Sequence, residues 1–537
     1  MKRIFAIILM VNLMALPLLA QVGTSIVNTP HNLSAGGIGT IHASSEQQIC
    51  IFCHTPHNAR PQTQLWNRND SASSYQIYAS HSLKALPGQP TGASKLCLSC
   101  HDGTIALGSV TSENQTIAMV GGITTLPPGS SNIGTDLSDD HPVSFTYDPN
   151  LVLLNPKLTS PSQLPTAISL DANSEMQCTS CHDAHNNQYS NFMVMDNTNS
   201  QLCNSCHISG PTNIPRHAQC ASCHQSHSAP SGPYLLTGST VFDTCARCHT
   251  GLPGSGTAPN LSADFAKPST HDTHNAVDLL TPLPNNISCS DCHEPHTMTN
   301  TVASAPNVPG NFGTQSGVNA SGISISSVQY QYEVCFKCHA DNAAVAPLVS
   351  RQIVQNNTRL EFNSSAISFH PVQSAGKNPN VPSLKAGFNT SSIIYCTDCH
   401  NTNSGTTAGG SGPDGPHGST ESPMLIARYD TADYTNESAS AYALCYRCHD
   451  RTNILDDRSF KEHKKHIIKE RSPCSSCHDS HGIASSQGNA NNNSHLINFD
   501  TAIVFPRKGV MEFNDTGTYR GNCTLVCHGE RHDRENY

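Results

Sequence analysis

The sequence predicts a mostly irregular chain, with short α-helices and a minor β-hairpin near the C-terminus, organised by bound groups in place of a protein core. Three observations carry that expectation. Of 537 residues only 36% are hydrophobic and 6% aromatic, with a single tryptophan, Trp66. Gly (36) and Pro (34) are scattered throughout. A side-chain core this thin does not offset roughly 1–2 kcal/mol of backbone entropy per ordered residue. Third, the chain carries 24 Cys and 30 His, and their spacing is regular.

The elements follow in chain order. Residues 1–20, MKRIFAIILMVNLMALPLLA, have the basic start (Lys2, Arg3), apolar run and small-residue end (Ala20) of an export signal cleaved before Gln21. No later apolar run is long enough to span a membrane. The net charge of −10 and the lack of a basic stripe argue against nucleic acid. The mature chain is therefore expected outside the cytoplasm: in the periplasm, at the outer cell surface, or extracellular.

An exported chain rich in cysteine ordinarily implies disulfides, but here every cysteine falls in a pair followed by histidine. Eleven pairs read C-x-x-C-H: Cys50 and Cys53, Cys97 and Cys100, Cys178 and Cys181, Cys203 and Cys206, Cys220 and Cys223, Cys245 and Cys248, Cys289 and Cys292, Cys335 and Cys338, Cys396 and Cys399, Cys445 and Cys448, Cys474 and Cys477. The twelfth, Cys523 and Cys527 in CTLVCH, has one more intervening residue. C-x-x-C-H is the attachment signature of c-type haem. Two thiols bond to the porphyrin vinyl groups, and the adjacent histidine (His54, His101, His182, His207, His224, His249, His293, His339, His400, His449, His478 and His528) is the proximal iron ligand. Zinc sites and redox pairs need no histidine after every second cysteine. Twelve covalent haems c are expected, and they make the fold haem-organised.

A second histidine pattern supplies candidates for the distal ligands. His57, His185, His227, His296 and His481 each lie three residues after a motif histidine, on alternate motifs. A histidine so placed cannot wrap to the far face of the same haem, so it is expected to ligate a neighbouring one. The alternation divides the chain into two-haem modules at 21–130, 131–210, 211–262, 263–360, 361–455 and 456–537. The fifth lacks the close histidine, and His417 is the substitute. Upstream of each module's first motif stand His31, His141, His217, His274, His370 and His466. His42 competes with His31, His271 with His274 and His463 with His466; His81, His495 and His532 remain unassigned. Methionine ligation would raise a haem's potential, but no Met recurs at a fixed offset from the motifs.

The motifs and the histidine alternation resemble the multihaem c-type cytochromes built from doubled CxxCH modules, which are typical of metal-reducing bacteria. The resemblance covers nearly the whole mature chain. It implies electron transport along closely packed haems, with other redox proteins or extracellular acceptors as partners, and it permits assembly into a homopolymeric filament. After loss of the signal, 517 residues would serve twelve haems, about 43 each. A multihaem enzyme of the nitrite, hydroxylamine or sulfite type, or a metal reductase, is the alternative. Such an enzyme with a catalytic haem needs an open distal face, whereas histidine is plentiful here, so no catalytic residue is assigned.

Between the motifs, 250–260, 302–326 and 401–418 read as loops, and 110–175 as a longer insertion. Short helices are expected around YALCYRCHD and RSFKEHKKHIIKE. A hairpin is expected in AIVFPRKGVMEFND, around the PRKG turn.

Overall fold

The computed structural model describes residues 25–57, 59, 65–208, 210, 212–252, 256–271, 273, 287–341 and 347–536. The proposed signal and His274 lie outside the described residues. The chain divides into two compact units, one of residues up to Ile208 with Ser226–Ser228, the other of Ser209–Gln225 and residues from Ala229 onward. The first four motifs lie in the first unit and the other eight in the second.

Most of the backbone is irregular, as its Gly, Pro, Asn and Ser content dictates. No helix among the described residues is long and apolar enough to cross a membrane. Three of the longest helices carry second motifs of modules: α1 (Gly92–His101), α2 (Val241–His249) and α3 (Gln331–His339). Each ends on the motif histidine. Thr240 caps α2 by accepting from the Asp243 N–H at 2.9 Å, and Asp243 lies in the first turn, where the helix dipole favours an acid. The Glu333 carboxylate of α3 accepts from the Gln329 and Tyr330 N–H groups at 2.8 and 3.0 Å. Gly103 (φ 70°) and Gly251 (φ 72°) turn the chain out of α1 and α2 in the left-handed conformation that glycine adopts without penalty.

The first motifs of modules are shorter. Cys50–Phe52, Cys178–Ser180, Cys220–Ser222, Cys396–Asp398 and Cys474–Ser476 are single 3₁₀ turns, and Cys289–Cys292 is one α turn. In each, the histidine N–H donates to the first cysteine's carbonyl, at 2.7–3.0 Å. That bond curls both thiols and the imidazole around one turn of chain.

The regular sheet is C-terminal. It comprises β1 (Val504–Phe505), β2 (Glu512–Gly517), β3 (Arg520–Cys527) and β4 (Glu530–Asn536), with β3 pairing antiparallel to the other three. The expected PRKG turn is present, closed by reciprocal Arg507–Val510 backbone bonds of 2.7 and 2.9 Å. The principal hairpins are instead β2–β3 and β3–β4, so the strands extend through the twelfth motif. Around YALCYRCHD the chain forms a 3₁₀ turn at Cys445–Arg447 and a helix at Arg451–Leu455. His466 sits in a wide π turn, Lys465–Lys469.

Apolar burial is split into six small clusters, five of them edged by motif cysteines. Buried cationic side chains tie loops together where apolar contacts are few. Arg68 is fully buried and donates to the Leu107, Ala106 and Ser99 carbonyls at 2.6, 2.9 and 3.0 Å and to Ser99 Oγ at 3.2 Å, fastening α1 to the loop after it. Arg68→Met keeps the bulk and strands these acceptors. It is expected to cost about 1.5–3 kcal/mol, read as a lower denaturant midpoint of the haem-loaded protein. An unchanged midpoint would show that the guanidinium does not hold this loop.

Candidate haem centres

Turns and helix ends present the motif histidines, and loops bring a second imidazole opposite almost every one. In the first unit the facing rings are His54 and His185 (centroids 6.1 Å apart), His101 and His31 (6.1 Å), His182 and His227 (6.2 Å), and His207 and His141 (6.2 Å). In the second they are His224 and His296 (5.9 Å), His249 and His217 (6.3 Å), His293 and His417 (6.2 Å), and His339 and His271 (6.1 Å). His400 and His481 (6.2 Å), His449 and His370 (6.4 Å), His478 and His463 (6.4 Å), and His532 and His466 (6.1 Å) complete twelve pairs.

The separation stays near 6 Å while the ring planes tilt from 13° to 79°. Aromatic contacts shorten when stacked and lengthen when edge-on, so a separation independent of tilt calls for another cause. Metal–imidazole nitrogen bonds are about 2.0–2.1 Å, and the ring centre lies about 1.1 Å behind the nitrogen, so imidazoles on opposite sides of one metal stand roughly 6.3 Å apart. These pairs therefore fit an iron between them. Among the described residues no group of three or more His, Cys, Asp or Glu converges as a protein-only metal site.

Hydrogen bonds orient the rings for that role. Twelve of the paired histidines have Nδ1 at 2.6–3.1 Å from a backbone carbonyl: His31, His101, His141, His182, His224, His249, His271, His293, His370, His400, His466 and His478. A carbonyl only accepts, so Nδ1 carries the proton and the Nε2 lone pair is left for a metal. His227, His296 and His481 use carboxylates instead: Asp140 at 3.0 Å, Glu294 at 2.7 Å and Glu361 at 3.2 Å. His217 and His417 are exceptions, with Nδ1 buried and unpaired.

Burial holds most of these imidazoles neutral, the form that binds metal. It pushes His463 down to about 3, and His141, His400, His417, His449 and His478 down to about 4. For His481 burial also pulls downward, but the hydrogen bond and charge of Glu361 outweigh it and the net shift is upward. For His227 the Asp140 hydrogen bond raises the value against burial.

The pairs follow a rule. Upstream histidines His31, His141, His217 and His370 stand opposite the second motif of their own module. The histidines three residues past a motif, and His417 in their place, stand opposite the first motif of the preceding module. Where two upstream histidines compete, His271 occupies the place opposite His339, while His463 and His466 are both used, opposite His478 and His532. His57 is exposed, and no histidine ring stands opposite it among the described residues. His528 also faces no histidine; its Nε2 lies 2.7 Å from Asp433 Oδ1, and its ring stacks on Tyr434 at 4.6 Å. Only a cross-strand position identifies His532, a signal that motif spacing does not carry.

The thiols run in series. Within the first unit Cys53 neighbours Cys100, Cys97 hydrogen-bonds Cys178, and Cys181 neighbours Cys206. Within the second, Cys223 neighbours Cys248, Cys245 bonds Cys289, and Cys292 neighbours Cys335, which bonds Cys396. Cys399 then neighbours Cys448, Cys445 bonds Cys474, and Cys477 neighbours both Cys523 and Cys527.

No curated protein matches the chain. The family described as Doubled CXXCH motif matches residues 172–211 and 215–253, two segments that each hold two of the twelve motifs. These doubled modules support a multihaem c-type cytochrome, whose CxxCH motifs bind haem c covalently and carry electrons.

Proposed function

We propose that the chain is an exported dodecahaem cytochrome that carries electrons along a series of closely packed, bis-histidine haems outside the cytoplasm, passing them to redox proteins or extracellular acceptors at or beyond the outer surface. The observation that carries this reading is the constant spacing of twelve histidine pairs, eleven of which include a motif histidine. Haem would supply one-electron redox chemistry, and the paired histidines are the residues that would hold its iron from both faces. Iron ligated on both faces offers no site for substrate, so the reading favours transport over catalysis. The series of neighbouring thiols supports the same reading. Each thiol bonds to a porphyrin edge, so thiols in contact bring successive haem edges together.

An intact mass should equal the mature chain plus twelve haems, and the ferric spectrum should be wholly low-spin, with no binding of carbon monoxide after reduction. A high-spin component in the native protein would favour the enzymatic alternative.

The pairing rule is tested by two matched variants. His185→Ala should turn one haem high-spin, the one attached at Cys50 and Cys53, while the haem on the adjacent motif at Cys178 and Cys181 stays low-spin. His57→Ala should leave the spectrum unchanged. A high-spin haem in His57→Ala, or none in His185→Ala, would break the rule.

A further inference from the structure

We infer that the twelfth haem is ligated by His532, across a β-hairpin, and not by the motif histidine His528. The inference rests on the haem reading above and extends it to a site whose axial ligand the motif misassigns. The eleven CxxCH histidines each face a second imidazole. The histidine of CTLVCH does not, and the twelfth pair is closed by His532 and His466, with centroids 6.1 Å apart.

Strand geometry gives the reason. In the turns, the histidine N–H curls back to the first cysteine's carbonyl, so both cysteines and the histidine share one turn of chain. Cys523 and Cys527 lie instead on the extended strand β3, which spreads them along its axis. Successive strand residues project to opposite faces, so Cys523, Leu525 and Cys527 share one face and the residue after Cys527 does not follow them. That residue, His528 (φ 52°), forms with Gly529 (φ 79°) the two-residue turn to β4, with both residues in the positive-φ region that such hairpin turns require. There His528 is engaged by Asp433 and Tyr434.

His532 lies directly opposite Leu525 in the β3–β4 register, between the two cysteines and on their face. It is 6% exposed in a strand, ERHDREN, whose other described side chains are exposed. Burying an imidazole among charged, solvent-facing neighbours calls for a partner on the inner side. His466 supplies the opposite ring, held by its Nδ1–H bond to the Glu462 carbonyl at 2.8 Å within the π turn. Such single π turns in helical segments recur at functional sites.

The test uses the full chain matured with its haems, with His532→Ala and His532→Met compared with the native protein. Mass spectrometry counts haems, while ferric magnetic resonance and carbon monoxide titration of the reduced protein read the axial ligands. His532→Ala should keep twelve haems, with one turned high-spin and one equivalent of carbon monoxide bound. Should that variant fail to accumulate, His532→Met decides. It should remain low-spin and gain one iron–thioether charge-transfer band, with one haem shifted to higher potential. A spectrum identical to the native one in either variant overturns the assignment, as does a native mass with eleven haems and an unmodified C-terminal hairpin. A native chain with no covalent haem defeats the haem reading itself, a result distinct from any of these.

Discussion

Everything in this chain answers to one requirement: two imidazoles must face each other about 6 Å apart, and the two usually come from distant segments. The reaching-back pairs span 45 to 131 sequence positions, from His182 with His227 to His54 with His185. Each such pair closes a long loop, which ordinarily costs chain entropy. On the proposed reading, axial ligands at a covalently held group would make that closure, and the loops would need little apolar packing of their own. The same arrangement makes the modules interdependent. A module's first site is completed by a histidine from the next, so the repeat in sequence and the unit of folding are offset by half a step.

The polar interior follows from that. With apolar clusters small and separate, the remaining loops are pinned by buried side chains that donate to backbone carbonyls. Arg351 binds the Ser475, Asn498 and His478 carbonyls at 2.6, 2.8 and 2.8 Å, fixing the end of the fourth module to the motif turn of the sixth. Lys267 bonds Asp264 Oδ1 at 2.6 Å, Ser404 Oγ at 2.7 Å and Thr402 Oγ1 at 2.8 Å, joining the fourth module's approach to the loop that leads to His417. Such bonds are directional, and a buried donor left unpaired is costly. They fix loop geometry more narrowly than apolar contact does, and so the positions of the imidazoles.

Much of this was legible in the sequence because thioether attachment fixes residue order. The cysteine spacing, the irregular backbone and the reaching place of four CHxxH histidines, His57 apart, follow from local chain geometry, while His417 is legible only as the nearest substitute in the fifth module. Choices that depend on tertiary position did not. His271 and His274 are three residues apart in sequence, and the place of His271 rests on tertiary contacts, the His339 ring and the Pro416 carbonyl. His463 and His466 read as competitors because the count allowed one upstream ligand per module, yet the π turn presents both. His532 was left over because its relation to Cys523 and Cys527 runs across strands. The strands beyond the PRKG turn run through CTLVCH, where Thr, Leu and Val between the cysteines favour strand.

The ends of the series follow the same geometry. Along the chain, each first-motif histidine from His54 to His400 faces an imidazole reaching back from the next module. His478 departs from that pattern: His463, from its own module, stands opposite it. Each of the six first-motif histidines thus has a facing imidazole from within the chain, five from the next module and one from the same module.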